Sequence, residues 1–268
     1  MKVLRSTRWA GPAQAWVATF VTCTFADALL GRWVLLPTFV VGFYGGMLIM
    51  ASLIYPALGR WQSWMCSRSV RSWYLTVVGL WTSLALSLAL LTLRWLDWGW
   101  DETLILRMVG TLTLVASIVG GAWAMEKLGW PKLVLASALF PSNAGGEKSS
   151  LPQRLVIEGP YRYVRNPIYE FDIGVVFGTA LLTGRWAVAI LGVVYVVQLT
   201  MHVRIEEREL RARYGVPYTR YCYLVPRFIP PLKPIDATEV HGELEQTLME
   251  GCVQGGGANR NLAPSQHV

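Results

Sequence analysis

Residues 34–55 read VLLPTFVVGFYGGMLIMASLIY, and no charged side chain interrupts them. A helix needs roughly 20 apolar residues to cross the hydrocarbon core of a bilayer, and this stretch is long enough. Two more uncharged stretches of similar length follow, at 73–93 and 108–125. The buried strands of a soluble α/β protein run only about four to eight residues. The pattern therefore predicts an all-α, polytopic integral membrane protein.

The composition agrees with a membrane protein. Hydrophobic residues make up 53% of the 268 residues and charged residues only 15%, whereas a soluble domain carries about 25% charged residues. The net charge of +7 comes from basic residues in the loops between apolar stretches, which is typical of the positive-inside rule rather than of nucleic-acid binding. The four cysteines and three histidines are scattered, so we expect neither a disulfide framework nor a metal site.

We expect about four membrane spans followed by a C-terminal helical hairpin. The spans are predicted near residues 13–30, 34–58, 73–96 and 104–125. The hairpin covers 169–203 and is interrupted at Thr183-Gly184-Arg185, with each arm somewhat short for a full span. The first segment could instead be an organelle-targeting segment. With the N-terminus inside, every strongly basic loop lies on the cytosolic side.

The chain divides into three regions on this reading. Residues 1–130 hold the N-terminal transmembrane helices, 131–234 form a catalytic region with the hairpin and a cytosolic cofactor pocket, and 235–268 form a polar, largely disordered tail. Asp27 and Arg185 are the charges closest to mid-span positions, and both have ordinary explanations at a span end and a hairpin tip. A small transporter is therefore the weaker alternative.

Two polar, aromatic clusters flank the hairpin. The near cluster is GPYRYVRNPIY at 159–169, and the far cluster begins with RIEEREL at 204–210 and ends with VPRFIP at 225–230. Because a hairpin returns the chain to the same membrane surface, we expect the two clusters to meet in space.

The residue types in these clusters suit S-adenosylmethionine. Asn166 and Pro167 are typical of an N-cap and a first helical turn, and a helix start favours an anion. Arg165 suits a carboxylate, while Glu206 and Glu207 suit an ammonium or ribose hydroxyls. Three tyrosines offer ring faces to a sulfonium cation: Tyr161, Tyr163 and Tyr169. The alternative is that these side chains are interface anchors and a solvated helix face.

The two clusters resemble a known family. Residues 159–169, Gly-x-Tyr-x-x-x-Arg-Asn-Pro-x-Tyr, are similar to the Gly-x-Tyr-x-x-x-Arg-His-Pro-x-Tyr motif of the isoprenylcysteine carboxyl methyltransferase and phospholipid methyltransferase superfamily. The Glu-Glu-x-x-Leu motif from Glu206, with the Tyr-Gly-x-x-Tyr-x-x-Tyr and Val-Pro-Arg-x-Ile-Pro motifs after it, resembles that family's C-terminal signature. The resemblance covers about 151–231.

The resemblance implies a membrane enzyme that binds S-adenosylmethionine on its cytosolic side and takes a lipid-like acceptor from the bilayer. Arg165 is the expected orienter of a substrate or cofactor carboxylate, and Glu206 the expected anchor of the cofactor. The cofactor-binding set carried over by position is Gln153, Arg154, Leu155, Val156, Tyr161, Asn166, Pro167, Ile168, Tyr169, Glu206 and Glu207. Since the sulfonium activates its own methyl group, we expect no obligate general base.

Two departures from the family pattern bear on the acceptor. Asn166 replaces the usual His, so that position holds no group that titrates near neutral pH. His202 lies one helical turn before Glu206, where the prenylcysteine enzymes place an arginine, and Arg204 projects from another side of the helix. His202 and Arg204 are the expected substrate-binding residues. A prenylcysteine carboxylate is thereby disfavoured, a phospholipid amine or small thiol stays open, and an inactive scaffold of the same fold is the alternative function.

Overall fold

The computed structural model describes residues 10–66, 70–95, 97–128 and 155–229. Its α-helices are α1 Ala10–Leu30, α2 Leu35–Ile54, α3 Leu58–Cys66, α4 Val70–Thr92, α5 Leu104–Leu128, α6 Pro167–Thr183, α7 Trp186–Tyr214 and α8 Val216–Leu224. Short 3-10 turns cover Tyr55–Ala57, Leu93–Trp95 and Gly159–Arg162. The described residues form no strand, apart from one isolated bridge between Gly99 and Arg185. The predicted all-α class is confirmed, while the tail at 235–268 lies outside the described residues.

Four helical stretches among the described residues are long and apolar enough to cross a membrane: Leu35–Trp61, Leu75–Trp95, Leu104–Leu128 and Trp186–Ala212. Only 11% of the Leu75–Trp95 window is buried inside the protein, so side chains such as Leu86 and Leu90 point outward. Such an apolar outer surface is what a helix in contact with lipid requires. The first predicted span is α1, whose apolar part, Gln14–Leu30, is shorter than the others.

The predicted hairpin is formed by α6 and α7. They join at Gly184, whose φ of 63° lies in the left-handed region that glycine adopts without strain. The expectation that both arms are short is wrong for the second one, because α7 has 29 residues. The apolar pattern fades where His202 and Glu206 begin, but the helix continues to Tyr214 because tertiary contacts satisfy its polar side chains.

The hairpin defines two ends of the bundle. At one end, here called the tip end, the Trp100 amide donates to the Gly184 carbonyl at 2.9 Å, so the 97–103 segment lies against the hairpin turn. At the other, here called the site end, the start of α6 meets the last turns of α7, where Tyr169 contacts Glu206. The 3-10 turn at the end of α2 reaches the site end as well, because Tyr55 contacts His202 there.

Asp27, one of the two charges singled out in the sequence, caps α2 at the tip end. Its carboxylate accepts the amides of Val34 at 3.1 Å, Leu35 at 2.8 Å and Leu36 at 2.8 Å. These are orphan donors of a helix start, which a buried carboxylate satisfies. Asp27 is 1% exposed and has this ordinary structural role.

Glycines allow the closest helix contacts. A Cβ added at Gly178 of α6 would lie 2.8 Å from the Leu114 amide nitrogen of α5, and one at Gly110 would lie 2.5 Å from the Leu182 amide nitrogen. Gly42 and Gly46 of α2 approach Ala85 of α4 in the same way. This spacing of small residues lets membrane helices pack backbone to backbone, and it fixes α6, which carries part of the site, against α5.

Gly178→Ala is expected to destabilise the protein by about 1–3 kcal/mol, because the new methyl group meets backbone that has no rotamer to move aside. Thermal unfolding in detergent measures the loss. Gly79→Ala is the matched control, since nothing lies within 4 Å of its position on α4 and alanine favours a helix. If both variants melt at the temperature of the unaltered protein, the close packing of α5 and α6 is wrong.

Candidate active site

The two clusters that flank the hairpin meet at the site end, as the sequence predicts. The Tyr221 hydroxyl of α8 donates to the Tyr161 carbonyl at 2.6 Å, and the Arg165 amide donates to the Pro226 carbonyl at 2.9 Å. Burial raises the pKa of the Tyr221 phenol, so its hydroxyl stays protonated as a donor. The far cluster thus folds back over the loop that leads into α6.

Glu207 is the centre of an ionic cluster in this layer. Its side chain is 2% exposed and pairs with Arg165 at 3.1 Å, Arg227 at 2.6 Å and Arg211 at 3.8 Å. Hydrogen bonding to Glu207 raises the pKa of the Arg227 guanidinium. Of the three guanidiniums around this carboxylate, Arg165 ties α7 to the loop before α6 and Arg227 ties it to the segment after α8, whereas Arg211 lies on α7 itself.

Arg165 has protein partners on every guanidinium nitrogen. Besides Glu207, its Nη1 donates to the carbonyls of Cys222 and Val225, both at 2.6 Å, while Nε and Nη2 contact Glu207. These contacts leave its side chain 9% exposed. The predicted orientation of a ligand carboxylate by Arg165 stays a prediction, and the contacts that the structure shows are those of a residue that positions the chain.

Asn166 occupies the N-cap position of α6, with Pro167 in the first turn, as expected. Its side chain does not cap the helix, however. The side-chain amide nitrogen of Asn166, Nδ2, instead donates to the Arg227 carbonyl at 3.3 Å. The Asn166 side chain therefore leaves the first backbone amides of α6 uncapped, and a helix start of this kind suits an anionic ligand group.

Glu206 takes part in a different set of contacts from Glu207. The Tyr169 hydroxyl donates to Glu206 Oε2 at 2.6 Å and lies 3.0 Å from His202 Nε2. The other ring nitrogen of His202, Nδ1, lies 2.6 Å from the Tyr55 hydroxyl. A chain of four side chains thus joins the end of α2, the first turn of α6 and the last turns of α7.

A cavity of about 370 Å³ lies beside this chain, inside the helix bundle. Its wall is largely apolar, with Trp16 of α1, Phe43 of α2 and Trp81 of α4 among the lining residues. Tyr169 and His202 also line it. The cavity therefore has space for an apolar group, and one part of its wall is formed by the hydrogen-bonded chain that ends at Glu206.

One acid lies in the wall of this cavity. Asp172 of α6 is buried and accepts hydrogen bonds from the hydroxyls of Tyr44 at 3.0 Å and Tyr195 at 3.1 Å. Asp172 lies within the predicted hairpin at 169–203 but is not among the near-mid-span charges that the sequence singles out, Asp27 and Arg185. An ionisable residue within a membrane helix is itself a functional signal, which could have identified it.

The remaining predicted residues differ in where they lie. Ile168 lines the cavity, Pro167 is buried, and Leu155 packs on the cluster of Ile157 and Tyr218. Val156 is half-buried, and Arg204 is exposed on another side of α7 from His202, as expected. Gln153 and Arg154 lie outside the described residues. Tyr55, which completes the hydrogen-bonded chain, was not predicted.

Part of the region that holds this geometry is similar to a known family. Residues 105–216 match the phospholipid methyltransferase family. The match covers less than half of the chain and runs from α5 through the hairpin to the start of α8, so it includes Arg165, Tyr169 and Glu206. It agrees with the resemblance of the near cluster and of the beginning of the far cluster to this family of methyltransferases, whereas the motifs after residue 216 lie outside the match. Neither the curated proteins nor the solved structures gave a match.

Proposed function

We propose that this protein transfers a methyl group from S-adenosylmethionine to a lipophilic acceptor held in the membrane. One observation carries the proposal: the largely apolar cavity reaches Tyr169 and His202, which stand directly beside Glu206. Such a cavity with a few convergent polar groups is the usual form of a small-molecule site. The acceptor would lie in the cavity, with its reactive atom toward the site end.

The residues at the site end fit the cofactor. The uncapped start of α6 suits its carboxylate, and Glu206 suits its ammonium or its ribose hydroxyls. Tyr169 belongs to the first turn of α6 and its hydroxyl touches Glu206, so these two features lie within one side chain of each other. When bound, the cofactor supplies an electrophilic methyl group on a sulfonium.

The protein contributes to the reaction by aligning the reactants and by excluding water. Alignment of nucleophile and electrophile can contribute roughly 7–11 kcal/mol. The Glu207 cluster holds the loop before α6 and the segment after α8 together, and the apolar wall of the cavity excludes water around the acceptor. Arg165 acts in this proposal as a positioning residue, through Glu207 and the carbonyls of Cys222 and Val225.

We place the site end on the cytosolic side. The N-terminal residues Lys2, Arg5 and Arg8, the basic loop at 59–71 and the long basic connection at 126–165 then all lie inside. The tip end, with the mixed-charge 97–103 segment, would lie outside.

Calorimetric titration of the detergent-purified protein with S-adenosylmethionine tests the cofactor assignment. The unaltered protein is expected to bind saturably, and Glu206→Gln is expected to lose most of the affinity, because the amide keeps the shape but not the charge. Glu209→Gln is the matched control, one turn further along α7 and without a place in the site. A well-folded protein that does not bind the cofactor would contradict the proposal.

A further inference from the structure

The hydrogen-bonded chain at the end of the cavity has a direction. Tyr169 has a single hydroxyl proton, which it donates to Glu206 Oε2 at 2.6 Å. At its 3.0 Å contact with His202 Nε2 the Tyr169 oxygen must therefore accept, which places a proton on Nε2. In a neutral ring Nδ1 then carries no proton, and it accepts a hydrogen bond from the Tyr55 hydroxyl at 2.6 Å. Every proton in the chain points toward Glu206.

The chain also connects the acceptor space with the site end. Tyr169 and His202 line the cavity, whereas Glu206 lies one turn further along α7. A phenolic oxygen offers lone pairs on both sides, and His202 occupies one of them. Tyr169 can therefore accept a second hydrogen bond, from a group inside the cavity.

The charge of the cavity wall points to the kind of group. Among the described residues that line it, Asp172 is an acid and none is an arginine or a lysine. An acceptor carboxylate in this space would have no cation to pair with, which disfavours its burial. A neutral amine or a thiol enters the cavity without a charge and therefore needs no such cation.

Resting on the proposed function, we propose that Tyr169 passes the acceptor's proton to Glu206, and that the acceptor atom is an amine nitrogen or a thiol sulfur rather than a carboxylate oxygen. A lone pair of the acceptor atom forms the new bond to the methyl carbon as the S–C bond breaks, with its electron pair left on sulfur. The acceptor proton moves to the Tyr169 oxygen while the Tyr169 proton moves to Glu206 Oε2. The sulfonium and the carboxylate charges both disappear, so the step balances.

His202 and Tyr55 are positioning residues in this scheme. Tyr55 fixes the His202 ring with its proton on Nε2, and that proton directs the Tyr169 hydroxyl at Glu206. A carboxylate acceptor carries no proton to remove and would need none of these contacts.

The tautomer is measured without any turnover, by nitrogen-15 NMR of protein labelled in its three histidines, with His202→Gln to assign the signal. We expect a neutral His202 ring protonated at Nε2 in the unaltered protein, and we expect Tyr55→Phe to disturb that signal. A ring protonated at Nδ1, or on both nitrogens, would overturn the proposal whether or not the protein binds the cofactor.

Turnover is measured with three probes of equal chain length: dodecylamine, dodecanethiol and dodecanoic acid. We expect methylation of the amine or the thiol and not of the acid. Tyr169→Phe should lower kcat by about 100-fold, the range of a lost proton-transfer group, while calorimetry shows that the cofactor still binds. Tyr223→Phe, whose ring is 86% exposed, is the control.

The outcomes separate the two proposals. A protein that binds no cofactor fails the proposed function, and the tautomer measurement still decides the direction of the chain. With the cofactor bound, an unchanged kcat in Tyr169→Phe, methylation of the acid, or turnover of neither the amine nor the thiol would overturn the inference drawn from Tyr169.

Discussion

Glu207→Gln is expected to destabilise the protein by about 3–5 kcal/mol, the cost of breaking a buried ion pair from one side. Glutamine keeps the shape of the side chain but removes the charge that Arg165, Arg227 and Arg211 share. Arg165 is itself buried, so its guanidinium would lose its counterion without gaining contact with water. Thermal unfolding in detergent, followed by circular dichroism, measures the change.

The control for Glu207 is Glu209→Gln, which makes the same chemical change on the same helix at a half-buried position. It is expected to leave the melting temperature within the error of the measurement. Equal melting of the two variants would show that the ionic cluster does not stabilise the site end.

Arg165→Ala is expected to lower turnover by about 100-fold, the effect that a misplacement of roughly 1 Å has on aligned groups. The substitution removes the donors that hold the carbonyls of Cys222 and Val225, and it leaves Glu207 with fewer partners. The segment after α8 would then no longer be fixed over the start of α6. Methyl transfer is measured with S-adenosylmethionine labelled in its methyl group.

The structure predicts a stability loss for Arg165→Ala as well, whereas the sequence alone suggests a residue that acts on a ligand in an intact fold. Arg165→Lys should recover little, because an ammonium cannot reach a carboxylate and two carbonyls in a planar arrangement. Arg208→Ala, at an exposed position of α7, is the control. Normal turnover and normal melting of Arg165→Ala would contradict the positioning role.

The helices could be predicted because their cause is local. Long uncharged stretches such as 34–55 and 108–125 have few other stable forms in a membrane. The helix α2 begins one residue after and ends four residues before the predicted bounds 34–58, and α5 begins at the predicted residue 104 and ends three residues after 125. The hairpin turn at Gly184 could also be predicted from the sequence, because Thr183-Gly184-Arg185 interrupts an apolar stretch. The end of α7 could not be predicted in this way, because its polar side chains form hydrogen bonds with residues of α6 and of the 3-10 turn after α2.

The site could be predicted only in outline. The order of the motifs indicated that the two clusters meet. Neighbouring residues of a helix, however, lie about 100° apart around its axis, so Glu206 and Glu207 point in different directions and contact different partners. In the structure Glu207 faces three arginines and Glu206 faces Tyr169. The contact of Tyr55 with His202 joins residues 147 positions apart, and no local pattern announces such a pair.

Asp172 and Asn166 show how the wider fold decides a residue's role. The sequence shows Asp172 only as a single acid in an apolar helix. Its role depends on Tyr44 and Tyr195, which donate hydrogen bonds to it from two other helices. Asn166 has the right residue type for an N-cap. Its side-chain amide instead donates a hydrogen bond to the Arg227 carbonyl, and the side chain makes no cap hydrogen bond to α6.

Transfer of a labelled methyl group tests the central claim most directly. The protein, reconstituted in phospholipid vesicles with S-adenosylmethionine labelled in its methyl carbon and with the lipophilic amine and thiol probes, is expected to move label into the organic-soluble fraction. Glu206→Gln should move little, and Glu209→Gln should match the unaltered protein. Saturable cofactor binding without any transfer of label would contradict an enzymatic role and favour a binding protein that retains the fold.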